Sequence, residues 1–403
     1  MNTSTKNSLI DWIMNLLFCN TSNVSVIKGG TERITARISQ GMEKLGNSCF
    51  LAYKEEIPTD FPLVKFTETI NVNCNSLEDF IIDNKIDIVI IQKMTRDVKM
   101  FFDIRKRNKL NFKIISVLHF NPGYEEISTT FHSFCSQLKR DNSLKEYVKD
   151  IIRIMIYPLY KTFYPFRNKD LYKKVYRYSD KVVLLSSSFI RQYEHYAGLK
   201  ESSKLLVIPN ALSYDDFLCA DQIFKKKKEV LLVSRLEENQ KRISLAIRIW
   251  AELEKDETLN DWTFKIVGDG PDRIKYEALV SKLNLQRVIF CGRQDPQRYY
   301  KQNRLFFMTS AFEGWGLTLT EAQQYGCVPI AFDTYSSLHD IINSGINGYI
   351  IGNDNIQSFV QKVKGLMTDE QLFYRLSSNA IESSQKFKLN NICCSWVNLI
   401  EEK

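Results

Sequence analysis

The chain has 403 residues, 44% hydrophobic and 12% aromatic, so one domain is too few and two of ordinary size are expected. A net charge of +8 is modest for this length, and no run approaches the roughly 18 apolar residues of a spanning helix. The nine cysteines are odd in number and include no Cys-x-x-Cys pair, which excludes a disulfide frame and a zinc ribbon.

From the N-terminus, Leu9 to Cys19 superficially resembles a signal peptide, but Asp11 and Asn15 interrupt it and no small-residue cleavage site follows. Met14–Cys19 reads instead as a first buried strand, with Met14 a natural start and residues 1–13 a disordered extension. A cytoplasmic chain with reduced, buried thiols at Cys19, Cys291 and Cys327 is expected. Lys28-Gly29-Gly30-Thr31-Glu32-Arg33 then precedes a helix over 31–45. It is neither a G-x-G-x-x-G fingerprint nor a Walker loop, and Glu32 suits a helix N-terminus by its charge alone.

Further strands are predicted at 48–53, 87–91, 112–118, 181–185 and 205–208. His119 follows the fourth of the first-half strands, at the carboxyl end where such sheets bind ligands; a structural histidine is the competing reading. Residues 139–177 carry eleven Lys/Arg against four acids, interleaved with aromatics and broken by Pro158 and Pro165 into short amphipathic pieces. Such a segment suits an anionic bilayer surface; aromatics packed inward under a solvated basic face are the alternative. No nucleic-acid motif accompanies the charge.

A polar stretch over 213–228, with a solvated run at Lys225–Lys228, marks the domain boundary. Strands follow at 230–234, 264–267, 288–291, 305–308, 328–331 and 349–351, again alternating with helical patterns, the mark of parallel α/β sheets. Arg235 and Lys241 flank the loop after the first of these, with Lys241 opening a helix over 242–253. Beside a helix N-terminus a planar fork and a point charge clamp a diphosphate, although loop bases are commonly plain surface charge. Val267-Gly268-Asp269-Gly270-Pro271 is a tight turn that a strand-to-helix connection alone would explain.

Glu313-Gly314-Trp315-Gly316-Leu317-Thr318-Leu319-Thr320-Glu321 follows the buried run 305–308 and leads into a helix over 322–325, closed by Gly326. A glycine-bracketed turn at a helix N-terminus suits phosphate, and carboxylates accept hydrogen bonds from sugar hydroxyls, which together describe a nucleotide-sugar pocket. The last segment, 387–401, reads as an amphipathic helix.

Glu-(x7)-Glu in EGWGLTLTEAQQYGCVPIAF, with the Gly-Gly loop, the Arg235/Lys241 pair and the Val267–Pro271 turn in the same order, resembles the GT4-like retaining glycosyltransferases of the GT-B fold. The resemblance is strongest over 229–351 and thinnest over 124–178. It implies two Rossmann-like domains with parallel sheets facing across a cleft: residues 1–212 on the acceptor side, completed by a C-terminal helix at 386–403 that crosses back, and 213–385 binding the donor. It implies a nucleotide-diphosphate sugar, UDP- or GDP-linked, whose leaving group is held by Arg235, Lys241 and the amides of Gly316, Leu317 and Thr318. Gly30 would lie over the donor, Glu321 would take the ribose hydroxyls, and Glu313 and His119 would stand at the sugar. Arg293 and the Val267–Pro271 turn would lie near the base. The acceptor would be a glycan or lipid-linked hydroxyl in bacterial surface polysaccharide or lipopolysaccharide assembly, with the enzyme cytoplasmic or peripheral on the inner face of the plasma membrane. No metal cofactor is expected, since no Asp-x-Asp occurs. Many relatives carry Ala-Met-Ala where this chain has Ala322-Gln323-Gln324. Other readings are a GT-B sugar-nucleotide epimerase, a phosphorylase (which needs a pyridoxal lysine and far greater length), and a non-catalytic nucleotide-sugar-binding subunit.

Overall fold

The computed structural model describes residues 13–26, 29–58, 62–93, 95–124 and 144–402. The expectations for residues 1–12, for Lys28 and for 139–143 lie outside them. Among the described residues the strands are β1 (Asn15–Cys19), β2 (Ser48–Tyr53), β3 (Thr69–Asn71), β4 (Ile88–Ile91), β5 (Lys113–Leu118), β6 (Lys181–Leu184) and β7 (Leu205–Val207). A second set comprises β8 (Lys227–Val233), β9 (Thr263–Val267), β10 (Val288–Gly292), β11 (Asn303–Met308), β12 (Val328–Asp333) and β13 (Tyr349–Gly352).

The first set forms a sheet in the order β3-β2-β1-β4-β5-β6-β7, the second a sheet in the order β10-β9-β8-β11-β12-β13. In both, the chain builds outward one way and then reverses, between β1 and β4 and between β8 and β11. These reversals are the switch points at which parallel sheets open a crevice beyond their strands' carboxyl ends. The pairings β1–β4 and β8–β11 that flank them are parallel.

The chain divides into two compact units. One gathers the residues up to Val117 with Lys174–Val182 and the segment from Cys393 onward; the other gathers Leu118–Lys173 and Val183–Ile392. In the first, every residue of β4 is buried, as are Leu16 to Cys19 of β1, so both faces of these strands are covered, as parallel strands require. The C-terminal helix, Leu389–Glu401, returns to this unit from Cys393. Lys113 Nζ donates to the carbonyls of Ile400 at 2.8 Å and Glu402 at 2.5 Å, and Lys181 pairs with the Glu402 carboxylate at 2.6 Å. In the second unit, β11 is buried at all six positions. Phe307 packs tilted against Phe264 and edge-on to Phe359, and helix Ile243–Glu254 covers the sheet with Ile247 and Trp250. Each such side chain removed from water stabilises the fold by roughly 1.5–3 kcal/mol.

Four local expectations are corrected. β3 was not foreseen, since a three-residue edge strand carries no readable period. Helix Tyr157–Tyr178 runs past Pro165 as one element, with Pro158 in its first turn where a missing N–H leaves no intrahelical bond unmade. The basic run 225–228 is not all solvated, because Lys226 is 3% exposed. Its Nζ donates to the carbonyls of Tyr300 at 2.7 Å and Asn303 at 2.6 Å. Cys291 is half-exposed rather than buried, whereas Cys19 and Cys327 are buried thiols.

Candidate functional site

β11 delivers the chain at the switch point of the second sheet, where Thr309 to Gly316 turn back into a helix. Gly316 has φ 84° and ψ 60°, a left-handed conformation that costs a side chain strain, and it caps helix Leu317–Gln324. The helix therefore begins five residues before the expected Ala322. In its first turn the amides of Leu317 and Thr318 have no intrahelical acceptor, and the helix dipole adds partial positive charge there. Gly314 is required for another reason: a Cβ on it would overlap the carbonyl oxygen of His119. This close approach brings the backbone of His119, itself half-exposed, against the turn.

Glu313 is almost buried beside that turn. Its Oε1 accepts from Lys241 Nζ at 2.5 Å and from Ser310 Oγ at 2.8 Å, and Gln240 Nε2 lies 3.5 Å from Oε2. Contrary to expectation, Lys241 does not open the long helix. It closes a one-turn helix, Glu238–Lys241, and Arg242 breaks the path with φ 47° before Ile243–Glu254 begins. A non-glycine residue there is strained, and the surroundings hold it. Arg242 Nε donates to Thr309 O at 2.8 Å, and Nη1 donates to Asn353 at 3.0 Å and Asp354 at 2.8 Å. Thr309 Oγ1 donates to Lys241 O at 2.9 Å and Ala311 N to Gln240 O at 2.7 Å, stapling the one-turn helix to the end of β11. The bend thus aims Lys241 at Glu313.

Arg235 stands apart from this pair. It is 69% exposed, with Glu237 at 3.5 Å, on the loop that leaves β8. That loop is laced to the Val267–Pro271 turn: Leu236 N donates to Asp269 O at 3.0 Å and Asp272 N to Leu236 O at 3.1 Å. Asp272 also accepts from Glu238 N at 2.8 Å, capping the one-turn helix.

Glu321 is 0% exposed, a fully buried carboxylate. Its oxygens accept from Ser213 Oγ at 2.5 Å and from the Tyr300 hydroxyl at 2.9 Å. Gly30 begins helix Gly30–Lys44 in the first unit. Glu32 beside it is buried and paired with Lys93 at 2.7 Å, so it does not stand open.

The loop after β12 braces the turn from behind. Thr334 Oγ1 donates to Ser310 O at 2.6 Å and Ser337 Oγ to Gly314 O at 2.9 Å. Tyr335 between them is buried, its hydroxyl 3.0 Å from where a Cβ on Gly316 would sit. Burial first, and the Glu313 charge second, push this phenol well above its ordinary pKa. Sequence reasoning missed Gln240, Ser213, Tyr300, Ser310 and Tyr335. Of these only Ser310, three residues before Glu313, lay within reach of a local argument; the others come from remote parts of the chain. Among the described residues no group of three or more His, Cys, Asp and Glu side chains could hold a metal ion.

Residues 218–383 match the family described as "Glycosyl transferases group 1". The chain is 27% identical over 228 residues to a GalNAc-alpha-(1->4)-GalNAc-alpha-(1->3)-diNAcBac-PP-undecaprenol alpha-1,4-N-acetyl-D-galactosaminyltransferase of Campylobacter jejuni, covering 56% of this chain and 61% of that one. It is 32% identical over 185 residues to a poly(ribitol-phosphate) alpha-N-acetylglucosaminyltransferase of Staphylococcus aureus, covering 45% of this chain and 36% of that one. The chain thus spans less than two thirds of either relative. Among solved structures, Anabaena Alr3699/HepE in complex with UDP and glucose superposes with a TM-score of 0.68 at 15% identity, over 96% of this chain and 99% of that one. Likeness at that identity speaks for the fold.

Proposed function

We propose that this chain, which has the GT-B fold and carries a group 1 glycosyl transferase domain over residues 218–383, is a retaining, GT4-type glycosyltransferase using a nucleotide-diphosphate sugar. The observation that carries the reading is the Lys241–Glu313 pair at 2.5 Å, beside the Gly316-capped N-terminus of helix Leu317–Gln324 at the switch point of its sheet. One compact place offers a cation and amides for phosphate next to a carboxylate for hydroxyls.

The acceptor hydroxyl oxygen bonds to the anomeric carbon while the bond from that carbon to the diphosphate oxygen breaks. The hydroxyl proton passes to the leaving phosphate on the same face, so configuration is kept and nucleoside diphosphate departs. Arg235, Lys241 and the amides of Gly316, Leu317 and Thr318 stabilise the departing charge. Glu313 orients the donor sugar, with His119 at the reacting end and Gly30 from the Gly-Gly loop over the donor. Glu321 takes the ribose hydroxyls, which would replace the Ser213 hydroxyl on its Oε1. The donor-binding region is 213–385, and 1–212 with 386–403 serves the acceptor.

The named acceptors of the two relatives, one a diphospho-undecaprenol glycan and one a poly(ribitol-phosphate), support a bacterial surface glycan as product. A lipid-linked acceptor fits peripheral docking on the inner face of the plasma membrane through 139–177, where helix Leu144–Met155 and its exit expose Val148, Ile152, Met155 and Ile156. No helix among the described residues is long and apolar enough to cross a membrane.

The test is a melting-temperature panel of UDP-, GDP-, ADP- and dTDP-sugars, followed by NMR of the product's anomeric configuration. A ligand at a hundred times its Kd stabilises the native state by about 2.7 kcal/mol. A panel in which no nucleotide sugar raises the melting point overturns the reading, an inverted product overturns the retaining course, and donor turnover to an epimer points to the epimerase.

A further inference from the structure

The Tyr335 residue is 4% exposed, and its hydroxyl has no hydrogen-bond partner among the described residues. The two hydroxyls that follow it in sequence are used. Ser337 Oγ donates to Gly314 O at 2.9 Å, and Ser336 Oγ accepts from Ser188 Oγ at 2.9 Å and Gln192 Nε2 at 3.2 Å. A buried hydroxyl left unpaired is costly, and one that persists in a native fold calls for a partner or a functional role. Its position is specific: it lies 3.0 Å from the Cβ position of Gly316, the residue that caps helix Leu317–Gln324. Glu313, the nearest charge identified as acting on it, is already taken by Lys241 and Ser310.

We propose that Tyr335 donates its hydroxyl hydrogen to the diphosphate of the nucleotide donor, adding a side-chain donor to the helix-terminal amides; this rests on the donor reading above. Burial and the Glu313 charge keep the phenol protonated at neutral pH, so it acts as a donor toward an anionic oxygen. The phenyl ring packs in the core, with its oxygen buried beside the capping glycine of the helix.

The experiment is calorimetric titration of the wild type and Tyr335→Phe with UDP, GDP, inorganic pyrophosphate and UMP, alongside their melting curves. In the variant, affinity for the diphosphate that the wild type binds should fall about tenfold, the scale of one hydrogen bond to a charged group. UMP affinity should change less than about twofold, and the melting temperature should hold or rise, because an unpaired hydroxyl has been removed. Equal diphosphate affinity in the two proteins overturns the proposal alone. A variant that melts several degrees lower and loses UDP and UMP affinity in parallel also overturns it, since the hydroxyl would then be structural. A wild type that binds none of the four ligands overturns the donor reading together with this one.

Discussion

At the scale of single residues, the two carboxylates of the Glu313–Glu321 motif differ in their surroundings. Glu313 holds a cation, while Glu321 is sealed under two hydroxyls. Lys241→Ala should lower turnover by about a hundredfold, since a charge aimed at a departing diphosphate contributes on the order of 3 kcal/mol to the transition state. Its melting temperature should fall only modestly, because Ser310 still serves Glu313. Glu321→Ala should be different in kind. The change removes the hydrogen bonds from Ser213 and Tyr300 to a buried carboxylate, at roughly 1–3 kcal/mol each, so melting should drop by about 5–10 °C alongside the loss of activity. Ser213→Ala removes one bond and should cost about 1 kcal/mol. Normal turnover in Lys241→Ala, or an unchanged melting point in Glu321→Ala, would refute these assignments. The sequence showed which residue types stand eight positions apart, yet not their burial, because the partners of Glu321 lie 108 and 21 residues away.

At the scale of elements, strand cores were legible where apolar runs were unbroken: β2 was expected at Ser48–Tyr53, where it is found. Ends and charged runs were less legible, since they depend on neighbours remote in sequence. Lys226 shows why. Helix Gln297–Gln302 ends with carbonyls that need donors, and the Lys226 ammonium supplies them for Tyr300 and Asn303 from the start of β8. Burial lowers its pKa below 10.5. Lys226→Met should therefore destabilise the protein by roughly 1–3 kcal/mol, because the two buried carbonyls keep only the weak Cys327 thiol, at 3.1 Å from Tyr300 O and 3.0 Å from Asn303 O, as donor. The pH dependence has a definite sign. Between the lowered folded value and 10.5 the unfolded chain binds the proton more than the native one, so this lysine's contribution to stability rises with pH across that alkaline window. Denaturant midpoints of wild type and variant at pH 7.5 and about 10 measure it. A wild-type advantage that shrinks with pH would contradict the buried, depressed lysine.

At the scale of the whole chain, strand alternation was enough to announce two parallel sheets, and both prove doubly wound with their reversals at β1/β4 and β8/β11. What alternation could not supply was which side chains outside the sheets face solvent. Helix Leu144–Met155 places Val148, Ile152 and Met155 at helical spacing, with Ile156 following, and these four are 46%, 51%, 75% and 44% exposed. Lys149 is exposed on the same helix, and the sequence adds Lys145 and Arg153. An apolar stripe on a helix that also carries bases suits the boundary of an anionic bilayer, where buried apolar area and about 1 kcal/mol per base act together. The full chain should sediment with vesicles containing anionic phosphatidylglycerol and much less with phosphatidylcholine alone, and salt above about 0.5 M should release it. Ile152→Glu with Met155→Glu should abolish binding while leaving the melting temperature and UDP affinity unchanged, because the replaced side chains already face solvent. Binding that ignores lipid charge, or a double variant that still sediments, would point away from a membrane-borne acceptor and toward one met in solution.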